Sequence, residues 1–281
     1  MFGVKKLSYE FASPNGLSLH ARIPTITFRG AFGYALAQVI ARYANISTLE
    51  DQVSLYRRIF MPLNEGDESR NQDLARPFVM RGYYSRPDKR SFILELLLFG
   101  IAGRCESFFD TVVDVMARMR IGKLQTKCYF VKVGSEVISM PDPEPSSDLA
   151  VEFLTPCVRM KHLGWVYRDE IPFHVLLPRL VDRVMELDTL YGDGSFGKDG
   201  QAVEWKRQSA SVASVKLSGG TYRSLRTSGR TGQQMRLDGF VGEMQYTGDF
   251  SPFREVLRYL PWVNLGHFNV FGCGWCRMNY I

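Results

Sequence analysis

The sequence predicts an α+β protein made of two successive βαββαβ-like halves. Three observations lead there. Apolar runs with strand-like and helix-like spacing follow one another in a similar order in both halves of the chain. A proline- and serine-rich stretch, SMPDPEPSSD from Ser139 to Asp148, is acidic without a base and separates the halves; proline removes donors and restricts its predecessor, which suits a linker. The 281 residues exceed the common single-domain size, and a 45% apolar fraction is enough to furnish two cores. The expected organisation is an N-terminal domain over 1–138, a linker over 139–149 and a C-terminal domain over 150–281.

In the first half, the alternation around Leu7 to Phe11 predicts a strand. Phe32, Leu36, Val39, Ile40 and Tyr43 recur at helical spacing and predict a helix over Arg29 to Tyr43. Ser91 to Phe99 reads as an apolar strand. Phe108, Phe109, Val112, Val113, Met116 and Met119 predict an amphipathic helix ended by Gly122, and Lys127 to Val133 a closing strand. The second half gives a strand at Val151 to Leu154 and a helix within Phe173 to Leu190, at least beyond Pro178. A strand at Phe240 to Tyr246, a short helix at Pro252 to Leu260 and a final strand from Asn269 follow.

Composition excludes several classes. No run of eighteen apolar residues is present, which argues against a membrane span. The opening MFGVKKLSYEF lacks an apolar h-region and a small-residue cleavage site, so a cytoplasmic protein is expected. Five cysteines in such a chain do not suggest a disulfide framework. Cys273 and Cys276 form a lone C-x-x-C without a second pair, so no zinc ribbon is indicated; small residues lining a terminal strand, or a metal or redox pair, are the two readings.

The net charge is +6, and its placement matters more than its size. Lys206 to Arg236 holds seven basic residues and no acid among Ser, Thr, Gly and Gln, which reads as an exposed loop or hairpin with a positive field. Such a field suits a polyphosphate partner, whose counterions it would release; the alternative is a solvated basic surface. Near the C-terminus Gly266, Gly272 and Gly274 stand in a G-x5-G-x-G pattern, and glycines so spaced let the backbone bend sharply and come close to a ligand.

That C-terminal stretch, LDGFVGEMQYTGDFSPFREVLRYLPWVNLGHFNVFGCGWCRMNYI, resembles the C-terminal region of the CRISPR-associated endoribonucleases of the sixth Cas family, in the RAMP superfamily. PTITFRGAFGYALAQVI, LYRRIFMP, RPFVMRG, SFILELLLFG, TPCVRMKHLG and RTSGRTGQQMRLDGFVG are similar to blocks of that family in the same order. The resemblance implies tandem ferredoxin-like (RRM-like) domains. It implies an enzyme that cuts CRISPR repeat RNA into guide RNA without a metal or other cofactor, by attack of a 2′-OH, leaving 2′,3′-cyclic phosphate and 5′-OH ends. It also admits a non-catalytic subunit that binds guide RNA beside other Cas subunits in an effector complex.

Such cleavage needs a base for the 2′-OH, an acid for the leaving 5′-oxygen and a cationic or amide-lined phosphate pocket. Histidine suits both proton roles near neutral pH. Of the four histidines, His162 in RMKHLGW reads as a turn residue and His174 as a half-buried structural one. His267 inside the glycine loop and His20 before the RGAFG helix are the leading catalytic candidates. Many relatives place the histidine in or near that helix, where this chain offers Tyr34 instead, as an assistant or a packing aromatic. Arg29, Arg226 and Arg230 are candidate RNA ligands together with Gly266, Gly272 and Gly274, and no metal site is expected. Arg29 would add its charge to helix N-terminal amides in holding a phosphate.

Overall fold

The computed structural model describes residues 1–44, 74–121, 126–140, 146–162, 164–227, 232 and 234–281. The block LYRRIFMP, Arg230 and the prolines of the expected linker lie outside them. The chain divides into two units, Met1–Ile138 with Leu187–Gly194, and Ser139–Glu186 with Ser195–Ile281.

The first unit runs β1 (Val4–Ala12), α1 (Thr25–Ala44), β2 (Phe78–Tyr84), β3 (Ser91–Phe99), α2 (Glu106–Ala117) and β4 (Tyr129–Ile138). Its sheet is antiparallel in the order β2-β3-β1-β4. Along β1 the apolar Leu7, Tyr9 and Phe11 alternate with polar residues and are fully buried, the period-two pattern of a sheet covered on one face. Phe28 and Phe32 of α1 bring the helix onto this core: Phe28 stacks on Phe92 at 4.9 Å and meets Phe11 edge-on at 5.0 Å. Phe109 of α2 lies 6.4 Å from Phe32. Leu187–Gly194 completes the unit, and the Tyr191 hydroxyl donates a 2.8 Å hydrogen bond to the Ala75 carbonyl. The carbonyl oxygen of Tyr191 comes so close to Gly100 that a Cβ there would sit 1.9 Å from it.

The second unit runs β5 (Asp148–Val158), β6 (Met160–His162), β7 (Trp165–Tyr167), α3 (Phe173–Tyr191, whose last turn counts with the first unit), α4 (Gln201–Gln208), β8 (Ala213–Tyr222), β9 (Leu225–Thr227), β10 (Gln234–Arg236) and β11 (Gly239–Thr247). The short α5 (Arg254–Leu257), α6 (Leu260–Val263) and β12 (Cys276–Tyr280) end it. The main sheet is antiparallel in the order β12-β5-β11-β8, while β6-β7 and β9-β10 form separate two-stranded ribbons. Phe173 anchors α3 on the sheet, meeting Tyr246 at 5.3 Å, Phe253 at 5.4 Å and Phe250 at 5.5 Å.

Renumbered within each unit, both main sheets have the order 4-1-3-2 with a helical segment after the first and third strands. That is the ferredoxin-like topology, present twice. The helix expected within Phe173 to Leu190 is α3, which takes in the whole run with Pro178 inside it. Two elements differ from their sequence expectation. The helix α1 begins at Thr25, one turn before Arg29, with Ile26 and Phe28 buried on its first turn. The final strand begins at Cys276, because Asn269–Phe271 is a tight 3-10 turn flanked by left-handed Phe268 and Gly272. Among the described residues no helix is long and apolar enough to cross a membrane.

Candidate functional site

The glycine loop between α6 and β12 is fastened to the C-terminal end of β5. His267 donates its backbone N–H to the Val158 carbonyl at 2.9 Å, Gly274 to Pro156 at 3.0 Å and Leu265 to Gly274 at 2.9 Å. Thr155, buried in β5, donates its hydroxyl to the Gly272 carbonyl at 2.7 Å and accepts the Trp275 amide at 2.9 Å. Asn264 and Asn269 are buried and cross-link the base of the loop: Asn264 donates to the Cys273 carbonyl at 3.1 Å and Asn269 to the Asn264 carbonyl at 2.7 Å. The loop is therefore a built structure, tied to β5 and to itself by backbone and side-chain hydrogen bonds.

The glycines serve this fastening. Gly266 and Gly274 have φ of +81° and +74°, and a Cβ would lie 2.4 Å from the Val158 carbonyl oxygen and 1.8 Å from the Leu265 carbonyl oxygen. The close backbone approach expected from their spacing is made to this chain's own β5 and loop. Gly272 has φ +91° and presents its carbonyl to Thr155.

What the loop presents outward is His267, exposed, followed by half-buried Phe268 and Phe271. The guanidinium of Arg226, on β9, lies 4.7 Å from the Phe271 ring centroid, and that of Arg159, just after β5, lies 6.0 Å from Phe268. A guanidinium over an aromatic face is attracted by the ring quadrupole and held flat. Partial burial lowers the pKa of Arg226 from its ordinary value, but an arginine remains charged at physiological pH. The structure thus places Arg226, His267 and the three loop glycines in one region. Arg159, Phe268 and Phe271 belong to it as well, and the sequence reading passed over them; the aromatic pair inside GHFNVFG was the available signal.

The first unit holds the other candidates. His20 is half-buried at the entry to α1, and its Nδ1 accepts the Ile23 amide at 3.1 Å. The neutral ring therefore carries its proton on Nε2. Burial lowers its pKa below the ordinary 6.5, so the neutral form prevails at pH 7. Tyr34 on α1 is 57% exposed. Arg29 is in the second turn of α1, away from the open amides of the first, which removes the helix-terminus argument made for it. Its guanidinium instead runs toward Gly33, where a Cβ would be 2.6 Å from one of its nitrogens.

His174 is half-buried with its ring edge-on to Tyr167 at 6.4 Å. Cys157, Cys273 and Cys276 are buried free thiols, and burial raises the pKa of Cys157 far up and that of Cys273 to about 12. Thiols so disfavoured as thiolates are poor nucleophiles. Among the described residues no three of His, Cys, Asp and Glu are grouped to hold a metal ion.

Residues 151–276 match the family model of the CRISPR-associated endoribonuclease Cas6, and residues 3–142 match a second model described as an N-terminal domain. Among solved structures, a Cas6 product complex is similar over 99% of this chain and 99% of its own, with 13% identity and a TM-score of 0.61. Cse3 of Thermus thermophilus, bound to an RNA representing a pre-cleavage complex, aligns over 99% of this chain and 98% of its own with 11% identity and a TM-score of 0.35. Cas6e of Escherichia coli str. K-12 aligns over 100% of both chains with 10% identity and a TM-score of 0.32. No curated protein matches the sequence. The likeness to the Cas6 product complex bears on the fold, which is tandem ferredoxin-like in both, whereas the family match falls on the unit that carries the glycine loop and both arginine stacks. Over residues 151–276, in the second half of that double fold, the chain therefore belongs with the CRISPR-associated Cas6 family.

Proposed function

We propose that this chain cuts CRISPR repeat RNA, using the 2′-OH beside the scissile phosphate as nucleophile and releasing 2′,3′-cyclic phosphate and 5′-OH ends. The observation that carries the reading is the glycine loop fastened to β5, which presents an exposed His267 beside Phe268 and also carries Phe271, the two rings that Arg159 and Arg226 approach. A general acid–base residue works best when its backbone is fixed before substrate arrives. Arg226 and Arg159 supply positive charge at the same loop, suited to the extra charge of a pentacoordinate phosphate. Proton transfer is assigned to His267, with His20 as the second candidate. The neutral His20 carries its proton on Nε2, which makes it a hydrogen-bond donor there. Tyr34 is assigned to assist proton transfer and Arg29 to RNA contact along α1.

The test is single-turnover cleavage of the repeat RNA encoded beside the gene, with EDTA present. Cyclic-phosphate products are expected, and a 2′-deoxy nucleotide just upstream of the cut should block them. Among the four His→Ala variants, loss at His267 or His20 by ~10²- to 10⁴-fold with binding retained supports the assignment. Full activity in both overturns it, and 3′-OH products overturn the mechanism. Tight binding without any product marks the chain instead as a guide-RNA-binding subunit of an effector complex.

A further inference from the structure

A second basic surface lies in the first unit, around the β2–β3 turn and the start of β4. Two adjoining cavities, of about 780 Å³ and about 290 Å³, share Ser13, Pro14 and Tyr129 in their walls. Lys89, Arg120 and Lys127 line the larger one, and Arg86 and Arg90 the smaller. All five are exposed, and among the described residues none has an ion-pair partner. Glu10 and Asp88 are the acids in these walls, so five cations stand against two carboxylates and the walls stay net positive; Glu10 accepts the Ser91 hydroxyl, and Asp88 the Arg90 amide at 3.0 Å.

Tyr129 stands between the cavities. It opens β4 opposite Ala12, whose small side chain leaves room beside the ring, and it is 61% exposed. Exposing a tyrosine to that extent at a strand end gains nothing for folding, since its apolar area stays in water. The floor beneath is rigid. Tyr84 donates its hydroxyl to the Leu17 carbonyl at 2.6 Å, accepts the Leu19 amide at 3.2 Å, and stands edge-on against Phe92 at 5.6 Å. The Lys127 ammonium is 5.9 Å from the Tyr129 ring and that of Lys89 5.8 Å from the Tyr84 ring, so the cations ride on the aromatics.

We infer that this surface binds an unpaired segment of RNA, with one base stacked on Tyr129 and the flanking phosphates on Lys89, Arg120 and Lys127 on one side and Arg86 and Arg90 on the other. Exposed aromatics set in a net positive surface are how proteins hold single strands without reading sequence, because every base offers a π-face and every nucleotide a charge. A paired helix would satisfy the cations but has no free base to stack. The inference rests on the reading of this chain as an RNA-binding protein and adds a single-strand site to it. The sequence concealed it because the five cations come from the β2–β3 turn and from two positions some thirty residues further on.

The test is fluorescence anisotropy of the full chain with a labelled 12-nucleotide oligouridine, and with a blunt RNA hairpin, over a salt series. Tyr129→Ala should weaken oligouridine binding by about 5- to 150-fold, the range for losing one base stack, and leave hairpin binding within about twofold. Tyr129→Phe should bind as wild type. The double variant Arg120→Ala with Lys127→Ala should reduce the salt slope for oligouridine by about 1.4, two single-strand phosphate contacts. Unchanged affinity in Tyr129→Ala, or an unchanged slope in the double variant, overturns the inference, as does an equal loss on the hairpin. The readout is binding alone, so it separates from the proposed chemistry. A chain that holds oligouridine through Tyr129 and cuts no repeat RNA upholds this site and sinks the cleavage reading. A chain that cuts repeat RNA but ignores Tyr129 does the reverse.

Discussion

The hydroxyl of Thr155 bridges strand and loop: it donates to the Gly272 carbonyl at 2.7 Å while accepting the Trp275 amide at 2.9 Å. Valine has nearly the same shape and neither bond. Thr155→Val therefore strands an acceptor and a donor, each costing about 1–3 kcal/mol when buried. A loss of about 2–4 kcal/mol is expected in urea unfolding, with Thr155→Ser close to wild type. A valine variant as stable as wild type would show that the loop is held elsewhere.

Gly274 and Gly164 separate collision from conformation. Both have positive φ, +74° and +85°, but a Cβ at Gly274 would lie 1.8 Å from the Leu265 oxygen whereas nothing lies within 4 Å at Gly164. Gly164→Ala should cost the ~1–2 kcal/mol of left-handed strain. Gly274→Ala should cost more than about 3 kcal/mol or prevent soluble expression. Comparable melting temperatures for the two variants would contradict the packing described.

Arg226 is both a charge and a plane. Arg226→Ala should weaken repeat-RNA binding and lower the salt slope by about one. Arg226→Lys keeps the charge but not the planar guanidinium that approaches Phe271, and should fall between. Equal binding by all three proteins across the salt series would remove β9 from the RNA surface.

His20 gives a pH prediction with a definite sign. Its folded pKa is below the ordinary 6.5 because burial disfavours the charged ring. Between that depressed value and 6.5 the unfolded chain binds more protons than the folded one, so stability is complete above 6.5 and declines as pH falls through this window. Urea midpoints from pH 7.5 to 5 should show that decline in wild type and a shallower one in His20→Ala. Nitrogen-detected NMR should find the proton on Nε2; a proton on Nδ1 would contradict the hydrogen bond from Ile23.

Most of the two cores was legible because alternation and helical spacing write themselves into sequence. Leu7, Tyr9 and Phe11 alternate in β1, and Phe109, Val112, Val113 and Met116 mark the buried face of α2. The strand β8 was read as loop or hairpin because it is a sheet edge with mostly exposed side chains and two adjacent glycines, so no apolar face announces it. Its partner β11 has φ +144° at Gly242, where a Cβ would meet the Ser218 oxygen at 2.3 Å, and its register shifts between Phe240 and Gly242 against β5 and between Glu243 and Met244 against β8. The glycine loop was visible as a pattern, but what its glycines approach was not. That depends on β5, more than a hundred residues earlier, and only the fold brings the two together. Arg159, at the end of β5, was missed for the same reason.

The first unit is not contiguous in the chain, since Leu187–Gly194 completes it after nearly fifty residues that belong to the second. A ribosome that has just released Ile138 has therefore made an unfinished body. Ala75 still lacks the hydroxyl of Tyr191, and the space beside Gly100 is still empty of the carbonyl that will fill it. The nascent N-terminal half must wait through the synthesis of β5 and most of α3 before it closes. Cutting the gene at the linker would make that wait permanent.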